Sequence, residues 1–409
     1  MASTYLTRTF STGNRDKWTW SAWVKRSKIG SIQELFTAYA DSSNLTEIRF
    51  DSDDSLQFQD KAANSWQGEI KSNDRFRDTN GWYHIMAIWD TGNSTATDRM
   101  RFYVNNRELT SFATDTIPGQ NNDSTINRNC GHQIGSLNSN ANKFDGIMSH
   151  VHFCDGYAYS PSDFGETDTT TGEWKAKTSP SVNYGTTGFL ILKDGNTITD
   201  QSSNSNAFTL GGGTLTDLKD CPDNVFATLN PLGGWNGGGV GTFANGNTYW
   251  TSTTTDQDAC LSTLAVNDGG KYYCEMKMIS KTGGYWNPGV YTVTKSTYGT
   301  SPNCFIRTDG VIYNNGSLAA SGLASWSAND ICGMAYDGSG GTHTIQFYKN
   351  GVAYDSAKNI SNSSNLPLFF GDGTNGGSVS NQVAFNFGNG YFGTTAITTN
   401  SGNGYSGAE

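Results

Sequence analysis

Charge is scarce in this sequence, and what there is leans acidic. Only 16% of the 409 residues are Asp, Glu, Lys or Arg, and the formal net charge is −10 with a pI near 5.0. No basic patch stands out that could neutralise phosphates, which argues against nucleic acid as a partner. Long apolar runs are missing too. Nowhere do about 18 apolar residues follow one another, so no membrane insertion is expected. The opening "MASTYLTRTFSTGN" has no apolar h-region, so no N-terminal export signal is expected either. The seven cysteines are odd in number and show no C-x-x-C spacing; Cys274 and Cys332 sit in strand-like stretches, and the set reads as reduced core residues. Asn-x-Ser/Thr triplets at Asn44, Asn93, Asn122, Asn315, Asn359 and Asn362 are attributed to an Asn/Ser/Thr-rich composition rather than to glycosylation. Helical periodicity is almost absent. The apolar runs, such as "YHIMAIWD" and "GFLILKD", are short and bounded by Gly, Asn, Asp or Ser, and 49 glycines supply the turns. This is an all-β signature.

Two stretches spell nearly the same hairpin. In "DRMRFYVNNREL", Met100, Phe102 and Val104 lead into Asn105-Asn106; in "HTIQFYKNGVAYD", Ile345, Phe347 and Tyr348 lead into Asn350-Gly351. Asn-Asn and Asn-Gly tolerate positive φ at both turn positions, the strongest short-range hairpin signal. The flanking residues do not align at a fixed period, which excludes a repeat array. Two separate antiparallel β-sandwich (jelly-roll) domains of roughly 150–200 residues each remain. Expected boundaries are 1–165 for the first, 166–225 for a linker with accessory strands at "GFLILKD" and "AFTLGGG", 226–393 for the second, and 394–409 for a polar tail. Such a low-complexity tail should be ordered only when a partner chain holds it.

The stretches "WTWSAWVKR", "GWYHIMAIWD", "RFYVNNREL" and "FDGIMSHVHFCDG" resemble a laminin G-like or concanavalin A-like jelly roll. The stretches "GKYYCEMKMIS", "NDICGMAYD", "HTIQFYKNGV" and "NLPLFFGD" resemble a SPRY domain and occur in that family's order. The join, "SPSDFGETDTTTGEWKAK" followed by "DCPDNVFATLNPL", is similar to virion proteins of tailed bacteriophages, marine ones in particular, that fuse the two modules. The resemblance implies a structural or tail-fibre-like virion protein.

Catalytic signatures are missing. Glucanases on this fold place two carboxylates about 5–5.5 Å apart on one strand face. The nearest match, Glu166 and Asp168 with Glu173, lies in a Thr-rich stretch at the wrong spacing. No G-x-S-x-G, P-loop or H-E-x-x-H motif occurs, so no enzyme is expected. His150, His152 and Cys154 offer ligand atoms at i, i+2 and i+4 of a strand, yet that spacing of about 6.5–7 Å per step overshoots a single ion. No cofactor is expected. Calcium would need converging oxygens; Asp90, Asp98 and Asp145 are available without a motif. Trp18, Trp20, Ala22 and Val24 alternate on one face and read as core, with Trp23 opposite. By contrast Tyr285 and Trp286 in "TGGYWNPGVY" and Trp235 in "LGGWNGGG" lie in glycine loops. Each is either a platform for a glycan or partner protein, or a ring folded back over the core.

The expectation is a noncatalytic phage virion protein, a tail-fibre or adhesin component that binds host-surface glycans or neighbouring virion proteins and forms a homo-oligomer there. The alternative is a capsid-surface decoration or fibre protein. A first domain that begins near residue 5 is expected to leave no room for a shaft or N-terminal anchor, which keeps that alternative alive.

Overall fold

A computed structural model describes residues 4–138, 141–193, 198–234, 241–252, 258–266, 269–292, 303–360, 367–374 and 380–397. The chain divides into two compact units, Met1–Asp217 with Cys221–Val225, and Leu218–Asp220 with Phe226–Glu409. Both are antiparallel β-structures, as the alternation and turn chemistry predict. Among the described residues no helix is long and apolar enough to cross a membrane.

The first unit is built from Tyr5–Thr9 (β1), Lys17–Arg26 (β2), Gln33–Asp41 (β3), Asn44–Phe50 (β4), Leu56–Ala62 (β5), Ser65–Ser72 (β6), Tyr83–Asp90 (β7) and Met100–Val104 (β8). Arg107–Glu108 (β9), Phe112–Thr116 (β10), Gly131–Ile134 (β11), Gly146–Asp155 (β12), Gly165–Thr167 (β13), Trp174–Ala176 (β14), Phe189–Ile191 (β15) and Thr209–Gly212 (β16) follow. They form an eight-stranded sheet in the order β10-β6-β5-β4-β3-β11-β1-β16, a six-stranded sheet β15-β12-β2-β7-β8-β9, and the ribbon β13-β14. The inward residues of both large sheets share one core. Trp18, Trp20, Ala22 and Val24 of β2 meet Phe36, Ile48, Phe58 and Ile70 there, all without solvent exposure. Each such large apolar side chain stabilises the fold by about 2–3 kcal/mol through burial.

Trp23, on the opposite face of β2, is buried as well. It joins Trp82 and Ala176, with Trp174 against them, while Met86, Ile88 and Cys154 pack with Phe164, Tyr159, Val182 and Tyr184. Residues 157–184 therefore cover the outer face of the six-stranded sheet. The stretch 166–225, expected as a linker with accessory strands at "GFLILKD" and "AFTLGGG", supplies β15 and β16 to the two large sheets. Phe189, Ile191 and Phe208 enter the core because their apolar faces have nowhere else to be buried. The outer face of the eight-stranded sheet carries polar and charged side chains, among them Glu47, Arg49, Gln57, Gln59, Glu69 and Lys71.

The second unit comprises Thr242–Ala244 (β17), Tyr249–Thr251 (β18), Ala259–Leu261 (β19), Lys271–Lys281 (β20), Gly289–Thr292 (β21), Cys304–Arg307 (β22), Val311–Asn314 (β23) and Ser317–Ala320 (β24). Ile331–Asp337 (β25), His343–Lys349 (β26), Val352–Ala353 (β27), Lys358–Ile360 (β28), Leu368–Gly373 (β29), Asn381–Asn386 (β30), Tyr391–Phe392 (β31) and Thr395–Ala396 (β32) complete it. One sheet runs β17-β18-β30-β20-β25-β26-β27 with β28 beside β26, the other β19-β29-β21-β22-β23-β24. Met276, Met334, Phe347 and Phe385 of the first sheet meet Val290, Ile306 and Phe370 of the second in its core. Both hairpins turn as their sequences require: Asn105 and Asn106 have φ of 48° and 66°, and Asn350 and Gly351 49° and 83°. The expected tail begins later than residue 394, because Thr395–Ala396 pairs with Tyr391–Phe392 and Ile397 packs with Ile331 and Phe392. Residues 398–409 lie outside the described residues.

Candidate functional site

The outer face of the eight-stranded sheet is polar in register. The pairings Glu34–Arg49, Arg49–Gln57 and Gln57–Lys71 make one row across β3, β4, β5 and β6. Thr37–Glu47, Glu47–Gln59 and Gln59–Glu69 make the next, and Tyr39–Leu45, Leu45–Lys61 and Lys61–Trp66 the third. Short hairpins join these strands in phase, so the polar residues of "TEIRF", "LQFQDK" and "GEIK" line up side by side. They floor an open groove of about 540 Å³, whose lining includes Glu47, Arg49, Gln57, Gln59, Glu69 and Lys71, with Leu45, Leu137 and Trp66 as apolar walls.

The floor is held by charge-assisted bonds. Arg49 Nη1 lies 3.1 Å from Glu47 Oε1 and 3.7 Å from Glu34 Oε1, while Arg49 Nη2 and Nε donate to Gln57 Oε1 at 2.9 and 3.2 Å. The Gln59 amide donates to Glu47 Oε2, and Gln57 Nε2 to Glu69 Oε1 at 2.8 Å. Asn142 Nδ2 donates to Glu34 Oε1 at 3.2 Å. Burial, and then the neighbouring charge of Glu47, push the Glu34 carboxyl well above the usual carboxylate range. Lys71 bridges Asp51 and Asp53 at 2.5 and 3.2 Å, and Arg75 closes on Asp53 at 3.0 Å. At the far end Trp66 is 40% exposed, an unusual state for the largest apolar side chain. A bulge at Gln67, between the pairs Asp60–Gly68 and Lys61–Trp66, turns the indole outward. Chemically this is a rigid strip of planar acceptors and donors ending in an aromatic ring, suited to a ligand rich in hydroxyls.

Trp286, a candidate platform, is 1% exposed and belongs to the core of the second unit with Val290, Met278 and Trp250. Of the two readings of the "GGYWNPG" loop, the ring folded back over the core is correct, because the loop leads straight into β21 and the indole fills space under it. Tyr285 is half-buried, with the Arg307 guanidinium 4.8 Å from its ring centroid and Lys281 Nζ at 5.8 Å, so cations already attend its ring. Trp235 lies outside the described residues.

His150 has φ of +49° and sits in a bulge of β12, which breaks the i, i+2, i+4 alignment. Its Nδ1 meets Ser149 Oγ at 2.8 Å, whereas His152 Nδ1 meets the Tyr184 hydroxyl at 2.9 Å and Cys154 is buried beside Phe164. Asp90 pairs with Lys17 at 3.2 Å, Asp98 closes a single 3₁₀ turn, and the Asp145 carbonyl accepts from the Ser27 N–H. Among the described residues no group of three or more His, Cys, Asp or Glu side chains converges to hold a metal ion. Asp168 and Glu166 pair with Lys175 at 3.1 and 3.8 Å, and Glu173 is exposed.

Residues 2–163 match a laminin G model of the concanavalin A-like lectin/glucanases superfamily. That match falls within the first unit, which is laminin G-like and concanavalin A-like over those residues, and the groove lies on its larger sheet. No curated protein matches the chain. Among solved structures, the SPRY domain of human HERC1 is similar at 18% identity, covering 38% of this chain and 96% of its own, with a TM-score of 0.32. A heptameric SAP-like pentraxin from Limulus polyphemus covers 47% of this chain and 89% of its own at 13% identity and a TM-score of 0.31. Domains LG4-5 of the mouse laminin alpha1 chain cover 97% of this chain and 91% of their own at 8% identity and a TM-score of 0.29. The groove residues of the lectin-like domain escape a reading of the sequence because polar residues on a strand's outer face are the default. The available signal was the shared phase of Glu, Gln and Arg over three hairpin-linked strands.

Proposed function

We propose that the protein is a noncatalytic, adhesin-type component of a bacteriophage virion that binds host-surface glycans through the groove of its lectin-like domain. The observation that carries this reading is the exposed Trp66 at the end of a bonded floor of Glu47, Arg49, Gln57, Gln59 and Glu69. A flat indole stacks on the apolar face of a sugar, while amides and carboxylates exchange hydrogen bonds with its hydroxyls. Noncatalytic binding is supported by the state of the floor's acids. Glycoside hydrolysis needs one carboxyl free to protonate the leaving oxygen and another to attack or activate water. Glu34 is fully buried, and both oxygens of Glu47 are engaged, by Arg49 and Gln59. The virion setting is supported by the similarity of the two-module sequence to tailed-phage proteins, in which the SPRY-like second unit would contact neighbouring virion proteins.

The test is retention and cleavage of purified host-envelope polysaccharide by wild type and Trp66→Ala. Retention without release of shorter products, lost about tenfold or more in Trp66→Ala at unchanged melting temperature, is expected for a stacking contact of about 1–3 kcal/mol. Equal retention by the variant refutes the groove, and shortened products refute the noncatalytic assignment. Antibody labelling of intact particles tests the virion setting, and unlabelled particles refute it.

A further inference from the structure

We infer that the groove selects an acidic saccharide, with a carboxylate on the sugar stacked at Trp66 met by Lys61. The inference rests on the groove being the glycan site and adds the charge of the ligand. Three cations line the groove, and two are spent. Arg49 faces Glu47 at 3.1 Å, and Lys71 faces Asp51 and Asp53 at 2.5 and 3.2 Å. Lys61 faces no carboxylate among the described residues. Its Nζ donates one bond to the Ser42 carbonyl at 3.1 Å and lies 5.6 Å from the Trp66 ring centroid. An ammonium has three donors, so two remain for a ligand. The cross-strand pair Lys61–Trp66 holds the cation over one face of the ring, next to Leu45, which pairs with Lys61 from the other strand.

A carboxylate beside that ring gains the ammonium, whereas a neutral sugar gains only the stack. The opposite charge sits elsewhere in the groove. Glu69 accepts from Gln57 Nε2 at 2.8 Å and pairs with no cation among the described residues, so it repels a second anionic group and accepts hydroxyls. The two ends together favour a chain in which an acidic sugar alternates with a neutral one.

The experiment is calorimetric titration of the full-length protein with a hyaluronan tetrasaccharide, which alternates uronic acid and neutral amino-sugar units, and with its carboxyl-reduced form. The acidic form is expected to bind about tenfold tighter at low salt, with the margin shrinking as salt is raised, because the contact is exposed. Lys61→Gln should erase the margin, Lys61→Arg should keep it, and neither should move the melting temperature. Equal affinity of the two forms with Trp66-dependent binding overturns the charge selectivity and leaves the groove standing. The same holds if the margin survives Lys61→Gln. Absence of Trp66-dependent binding to either form, together with none to host polysaccharide, overturns the groove and the inference together.

Discussion

Replacing Trp286 by Ala should unfold the second unit far more readily. The side chain is 1% exposed in a core shared with Trp250, Met278, Val290 and Val383, so truncation removes a whole indole from a site whose walls are β-strands and cannot collapse. Trp→Ala changes of this kind cost about 3–5 kcal/mol. Nothing polar is lost with the ring, because its Nε1 has no hydrogen-bond partner among the described residues. The Lys281 ammonium, 5.3 Å from the ring centroid, adds on the order of 0.5–1 kcal/mol at most, since it is a surface cation. At about 2–4 °C per kcal/mol for a unit of this size, the melting temperature should fall by roughly 6–20 °C. The assay is thermal and guanidinium unfolding of the full-length protein, followed by fluorescence and by circular dichroism. Trp286→Phe should cost far less than Trp286→Ala, because a ring is retained and no hydrogen bond is forfeited. A loss below about 1 kcal/mol for Trp286→Ala would mean that the indole is not core, and the reasoning from burial would fail.

Burial holds the Asp372 carboxyl up to about 8, against about 3.9 unfolded, so its contribution to stability is full below pH 4 and declines as pH rises to 8. Asp372→Asn should flatten that decline in pH-dependent melting curves while still accepting from the Asn287 N–H, and an unchanged slope would contradict it. Glu34 carries the same sign: its folded carboxyl is raised, so stability falls as pH climbs above about 4.3, and Glu34→Gln should stabilise the protein at pH 7. Burial pushes up the thiols of Cys154, Cys260, Cys274, Cys304 and Cys332, so alkylation of the native protein should reach at most Cys130 and Cys221. Mass spectrometry should find all seven labelled only after unfolding. Gly185→Ala should destabilise strongly, since φ is +66° there and a Cβ would strike the Asp155 carbonyl, whose strand end anchors the 185–188 loop through the Asp155 side chain. Wild-type melting behaviour would count against that geometry.

The sequence by itself determined the local rules of this protein. Period-2 alternation placed Trp18, Trp20, Ala22 and Val24 on one face, and Asn105-Asn106 and Asn350-Gly351 fixed two turns, because these depend only on neighbouring residues. What it could not supply was which outward faces would be covered. Trp23, Met86, Ile88 and Cys154 point away from the main core yet are buried, because Phe164, Trp174 and Tyr184 return over them from far along the chain. The same ignorance misplaced the candidate site. A tryptophan in a glycine loop looks exposed until the loop is seen to enter the core, as Trp286 does. Strict alternation counted back from Ile70 would put Trp66 inside with Gly68, until one extra residue, Gln67, reverses its face. A bulge is set by the register between two strands, and cover is set by packing over long distances, so neither is written in any one stretch of sequence. The groove exists only because strand pairing set these polar side chains in one register and a bulge turned a single indole toward it.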